Sequence, residues 1–65
     1  MDKRQEANRR VKLKIAYALL GLMKEQSFSE ITATDIIKRS GVARASYYRN
    51  YYTKEEILIE ATEGA

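Results

Sequence analysis

Sixty-five residues contain no cysteine, no histidine and no proline. That absence is the tightest constraint on the chain. No disulfide can staple it and the usual thiolate and imidazole zinc sites are ruled out, so folding rests on buried apolar surface. A domain this short buries only about 60% of the surface its unfolded chain exposes, so the core is thin. With no proline and three glycines a turn-rich β fold is disfavoured, and 45% hydrophobic against 32% charged residues suits a helical domain rather than a disordered tail. The same absences bear on chemistry. Without a thiol nucleophile, a side chain that titrates near neutrality or a phosphate-cradling glycine loop, an enzyme is not expected, nor is a cofactor or a metal. The longest apolar stretch, Ile15 to Met23 with Gly21 inside it, is too short to span a bilayer, and the Met1 region lacks a signal-peptide cleavage pattern. No membrane partner is expected, and a chain without cysteine fits the reducing cytoplasm.

Charge is segregated along the chain. Residues 1–14 carry six bases against two acids, residues 15–37 one base against three acids, and residues 55–65 four acids and no base. Between them, residues 38–54 hold Lys38, Arg39, Arg44, Arg49 and Lys54 and no acid, interleaved with Tyr47, Tyr48, Tyr51 and Tyr52. Basic side chains neutralise phosphates, and a tyrosine hydroxyl donates to phosphate oxygen, so this block suits nucleic acid as well as it suits a solvated basic face.

Apolar spacing divides the chain into four helices, at about 4–26, 33–39, 43–49 and 54–62. In the first, Val11, Ile15, Ala18, Leu19, Leu22 and Met23 recur at steps of three and four and share a face, with Arg4, Asn8, Lys12 and Lys14 elsewhere. Gly21 weakens the helix interior by about 1 kcal/mol relative to alanine, or permits close approach of another helix. Two capping-box spacings then compete, Ser27 to Glu30 and Thr32 to Asp35, and Thr32 is the preferred cap. The second helix turns Ile36 and Ile37 inward. Ser40-Gly41-Val42 is the break, where Gly41 takes the positive φ of a sharp turn. The third helix starts at Ala43, which has no side-chain acceptor to cap it. Tyr47 and Tyr51 are phased inward. Thr53-Lys54-Glu55-Glu56 is the clearest local signal, with Thr53 expected to cap the Glu56 amide and Glu56 to reach back. Ile57, Leu58 and Ala61 follow as one apolar face, and Gly64 is a candidate terminator.

The pair of helices around Gly41 has helix-turn-helix proportions. In that motif the second helix enters the major groove while the first lies across the backbone, which puts the acid-free block on the DNA side. The stretches Ile31-Thr32-Ala33-Thr34-Asp35-Ile36, Ser40-Gly41-Val42 and Tyr47-Tyr48-Arg49-Asn50-Tyr51-Tyr52-Thr53-Lys54-Glu55-Glu56-Ile57-Leu58 resemble the DNA-binding half of TetR-family (tetracycline-repressor-type) transcriptional regulators. The family pattern is roughly T-x-x-x-I-A, A-G-V-S, then Y-x-H-F-x-x-K-E-x-L. The resemblance covers about residues 10–60. The chain departs from the pattern at Ser27, where glycine is usual, at Ala43, where serine usually caps, and at Asn50-Tyr51, where His-Phe is usual.

The resemblance implies an all-α fold, a three-helix homeodomain-like helix-turn-helix bundle plus the start of a fourth helix, and sequence-specific binding of double-stranded DNA by a bacterial repressor. By position, Lys54 resembles a residue that holds a backbone phosphate, and a cation beside helix N-terminal amides agrees with that. Thr32 is similar, with hydroxyl and amides both open to phosphate. Tyr48 resembles an aromatic that meets phosphate or a base methyl, and Asn50 keeps a donor for phosphate. Arg44 is the best candidate for reading a base, arginine being the commonest bidentate reader of guanine, and Ala45 lets the helix sit close to the groove floor. Ser46 and Arg49 suit bases or phosphates, and Thr34 reaches a base edge from the second helix. The resemblance also implies a palindromic operator, a homodimeric full-length protein and an effector acting through a C-terminal domain. These 65 residues read as an isolated monomeric DNA-binding unit without that domain.

Plainer roles compete at several positions. Tyr47 and Tyr51 suit core rings better than ligands. Tyr52 is a partly exposed ring. Lys38 and Arg39 suit the solvated, dipole-favoured end of a helix. Arg4, Arg9 and Arg10 form either an arm near DNA or a soluble helix start. Two whole-domain alternatives compete as well. One is a protein-interaction module of the same fold, docking through the acidic last helix and its Ile57–Leu58 face. The weaker one is a membrane-surface helix over residues 3–24, which has no tryptophan and clusters its charge at one end.

Overall fold

A computed structural model describes residues 3–63. Their elements are α1 (Lys3–Met23), a 3-10 turn (Phe28–Glu30), α2 (Ala33–Ser40), α3 (Arg44–Asn50) and α4 (Lys54–Glu63). Among the described residues there is no strand. The suggested terminator Gly64 and the side chain of Arg4 lie outside the described residues.

α1 stops at Met23, three residues short of the expected Gln26. With no glycine to take a left-handed cap, the last turn tightens instead. The amides of Lys24 and Glu25 donate three residues back, to Gly21 and Leu22 at 3.2 and 2.9 Å, and Gln26 shares the Leu22 carbonyl at 2.9 Å. Of the two competing capping signals that follow, only Thr32 makes a side-chain cap bond. Ser27 heads the 3-10 turn, which the sequence reading missed, with its hydroxyl on the Glu30 carboxylate at 2.5 Å. Thr32 then caps α2 through a complete reciprocal box.

The core is Ile15, Ala18, Leu19 and Leu22 from α1, Ile31 and Ile36 around α2, Tyr47 and Tyr51 around α3, and Ile57 of α4. α1 packs against each of the other three helices and so serves as their common wall. Met23, expected inward, is exposed. It lies about 80° around the helix from Ile15, at the margin of the stripe. Ile57 is fully buried and Leu58 packs against the core, so the face expected to be open for a partner is consumed by the fold; Ile59 and Ala61 are the residues left exposed. The Ile15–Leu22 stripe of α1 is consumed likewise, while Leu13, Tyr17 and Leu20 stay exposed on its other side. No described helix is long and apolar enough to cross a membrane.

Candidate nucleic-acid interface

The turn between α2 and α3 is built by three residues. Gly41 sits at φ 76°, ψ 7°, in the left-handed region, with its amide on the Ile37 carbonyl at 3.0 Å. Nothing lies within 4 Å of where a β-carbon would stand, so the backbone angle alone calls for glycine here. Ser40 knits the turn from the side: its hydroxyl donates to the Ile37 carbonyl at 3.2 Å and accepts from the Val42 amide at 3.3 Å.

α3 follows with Ala43 at its N-cap and no side-chain cap bond. Its inward residue is Tyr47, 1% exposed. The other side presents Arg44, Ala45, Tyr48 and Arg49, all exposed, with Ser46 and Asn50 half-buried at the edges. Neither arginine takes part in an ion pair among the described residues. Tyr48 is held edge-on against the Tyr47 ring, with centroids 5.1 Å apart and planes at 87°, so this exposed ring has a buried anchor. Tyr51 leans on Tyr47 from beyond the helix end at 6.3 Å. Burial raises the pKa of Tyr47, with a further push from Tyr48; burial and then the Glu60 carboxylate push Tyr51 up to about 12. Both rings are therefore neutral core members. Asn50 donates to the Ser46 carbonyl at 2.8 Å, one turn back, which commits one of its two amide protons. Tyr52 is 91% exposed, an open ring rather than a partly covered one.

The start of α2 is less open than the sequence suggests. The Thr32 amide donates to Asp35 Oδ2 at 3.0 Å and the Asp35 amide to Thr32 Oγ1 at 3.1 Å. The Thr32 amide first, and its side chain next, hold the Asp35 carboxyl below its ordinary pKa. An approaching anion therefore meets the Thr32 hydroxyl proton and the amides of Ala33 and Thr34, the first amides of a helix having no partner within it. The Thr34 side chain is exposed on the same turn.

Lys54 is placed where sequence reasoning did not look. Its ammonium turns away from the start of α4 and donates to the carbonyls of Phe28 and Ile31 at 2.6 and 2.7 Å, over the Phe28 ring at 4.7 Å. The cap of α4 is half as expected: Glu56 reaches back to the Thr53 amide, but the Thr53 hydroxyl does not cap the Glu56 amide. Glu56 Oε1 accepts from the amides of both Tyr52 and Thr53 at 2.9 Å, while the Glu56 amide goes to the Thr53 carbonyl at 3.2 Å. The Glu56 amide is thus taken by the Thr53 carbonyl and not by the Thr53 hydroxyl.

Two cations outside this surface have structural partners. Arg39 binds Glu25 at 2.6 Å, its guanidinium lying over Gly21, so the glycine admits a side chain and not another helix backbone. Lys12 joins α1 to α4 through Glu60 at 2.9 Å. Arg9, Arg10 and Lys14 are exposed. Among the described residues no three His, Cys, Asp or Glu side chains gather as they would to hold a metal ion.

A family model described as bacterial regulatory proteins, tetR family, matches residues 15–61, which run from the buried stripe of α1 to the last turn of α4. No curated protein and no solved structure matches the chain. With that match spanning the greater part of its length, the chain belongs to the tetR family of bacterial regulatory proteins, and its helices are the N-terminal helix-turn-helix unit of that family.

Proposed function

We propose that this chain is the DNA-binding unit of a cytoplasmic transcriptional repressor, with α3 in the major groove of double-stranded DNA and α2 across the backbone. The observation that carries the proposal is the outer side of α3. It shows Arg44, Ala45, Tyr48 and Arg49 to solvent, inside a block with no acid, on a helix pinned to the core by Tyr47. Arg44, Ala45 and Ser46 meet base edges, with Thr34 reaching in from α2. Thr32, Tyr48, Arg49 and Asn50 meet phosphates, while Lys54, its ammonium held by the Phe28 and Ile31 carbonyls, lies behind that contact and not in it. One such unit reads one half-site, so the operator is palindromic and the working protein a homodimer, with any effector bound by a separate domain.

Binding-site selection from random duplexes, with the chain joined as a dimer, tests this reading. A palindromic consensus is the expected result; no enrichment over input would refute it. Arg44→Ala is expected to lower affinity by about 1–3 kcal/mol and to relax preference at one position of each half-site. Loss of equal size on every sequence would remove Arg44 as a base reader.

A further inference from the structure

The peptide unit between Ile31 and Thr32 is held from both of its ends. Its carbonyl accepts from the Lys54 ammonium at 2.7 Å, and its amide donates to the Asp35 carboxylate at 3.0 Å. The two holders come from different places: Asp35 sits in the first turn of α2, and Lys54 opens α4, 23 residues from Ile31. Ile31 is itself buried, at 1% exposure. That single peptide plane fixes the direction in which α2 begins, and with it the Thr32 hydroxyl and the Ala33 and Thr34 amides. A cation at the start of a helix is disfavoured by the helix dipole. Here two carbonyls and the face of Phe28 offset that cost and turn the charge toward the 28–31 link.

We propose that Lys54 is a positioning residue for the DNA contact: with Asp35 it clamps the Ile31–Thr32 peptide, so that the start of α2 meets the phosphate backbone already aligned. This rests on the DNA-binding reading above and departs from a direct Lys54–phosphate pair.

The two roles separate in the salt dependence of binding. A lysine that neutralises a phosphate contributes about 0.9 to the slope of log affinity against log salt; a positioning lysine contributes nothing to it. Affinity for the selected duplex is measured across a salt series for the wild type, Lys54→Met, Asp35→Ala and the double variant, at a temperature where circular dichroism shows each folded. The expected result for Lys54→Met is an affinity loss of about five-fold, the worth of a modest hydrogen bond, at unchanged slope. Asp35→Ala removes an acid beside DNA, so simple electrostatics raises affinity, whereas the clamp lowers it by a similar factor. The double variant loses less than the product of the two single losses, because one peptide is released only once. A slope reduced by about 0.9 in Lys54→Met, or tighter binding by Asp35→Ala, would overturn the proposal. Should Lys54→Met not fold, Asp35→Ala carries the same test alone. A wild-type chain that binds no duplex refutes the functional reading itself, and hydrogen exchange at the Thr32 amide of the free chain, faster in Lys54→Met, then reads the clamp separately.

Discussion

Replacing either of two glycines with alanine adds one methyl group, and the structure gives the two changes opposite signs. Gly21 lies inside α1, where alanine gains about 1 kcal/mol of helix propensity. A β-carbon there would meet Arg39 Nη2 at 2.8 Å and Nε at 3.1 Å, which are the far end of a long side chain rather than backbone. Moving the guanidinium aside sacrifices the Arg39–Glu25 pair, whose side chains are 45% and 62% exposed. A pair so exposed contributes about 0.2–1 kcal/mol. Gly21→Ala is therefore neutral to stabilising, by up to about 1 kcal/mol, and in an Arg39→Ala background the whole propensity gain remains. Gly41→Ala meets no atom within 4 Å, but at φ 76° it forces an L-residue into the left-handed region. That costs about 1–2 kcal/mol. Thermal unfolding followed by far-ultraviolet circular dichroism reads both, since about 1 kcal/mol moves the Tm of so small a domain by about 4–8 °C. Gly41→Ala falls below the wild type by that margin while Gly21→Ala stays level or rises. A Gly21→Ala variant as destabilised as Gly41→Ala would show that the guanidinium contact is integral to α1–α2 packing, and would refute the reasoning.

Three further outcomes follow from local geometry. Ala43→Ser supplies the cap that α3 lacks and is expected to add about 1 kcal/mol of stability, read as a raised urea midpoint; an unchanged midpoint would count against an extended, cappable Ala43. Tyr51 favours the neutral phenol in the fold, so its contribution is complete below its ordinary pKa of 10 and is lost as pH rises from there to about 12; Tm should fall over that window, and Tyr51→Phe should flatten the fall. Asp35 favours the carboxylate in the fold, so its contribution is present above the ordinary value of 3.8 and is lost as pH falls through the lowered one; a carboxyl-carbon titration of Asp35 with a midpoint at or above 3.8 would contradict the capping box.

Much of the architecture was legible because it rests on short-range spacing. The α1 stripe from Ile15 to Leu22, the inward phase of Ile36, Tyr47 and Tyr51, the Thr32 box and the Gly41 turn each depend on residues within one or two turns of one another. What escaped needed a partner from elsewhere in the fold. The Lys54 carbonyl partners lie 26 and 23 residues away, and the Arg39 guanidinium finds Glu25 from a distance of 14 residues. No local pattern marks such pairs, and a lysine at a helix start reads naturally as an open anion site. At α4 the reach of Glu56 back to Thr53 was legible, and its second amide, that of Tyr52, was not, because a box rule written for one amide does not say that a carboxylate takes two. The candidate contact residues on α3 were legible as an exposed side, and the Thr32–Asp35 box, itself legible, closes the Thr32 amide that the phosphate reading had left open.

Where the polar bonds fall says something about what the fold protects. α4 meets α1 through Ile57, Leu58 and one partly exposed ion pair, Lys12–Glu60, and its outer half carries Ile59 and Ala61 in the open. Around α2 and α3, by contrast, the bonds link neighbouring segments: the Thr32–Asp35 box, Lys54 on two carbonyls, Ser40 across the turn and Asn50 on Ser46. A thin core cannot hold four helices equally, so local opening draws on the parts with the fewest buried contacts and the fewest such bonds. On that footing the turn around Gly41, tied by Ser40 on both sides, opens less readily than the exposed end of α4. A surface that reads base edges gains from this arrangement, because each contact it makes is then not discounted by the entropy of ordering the helix that carries it.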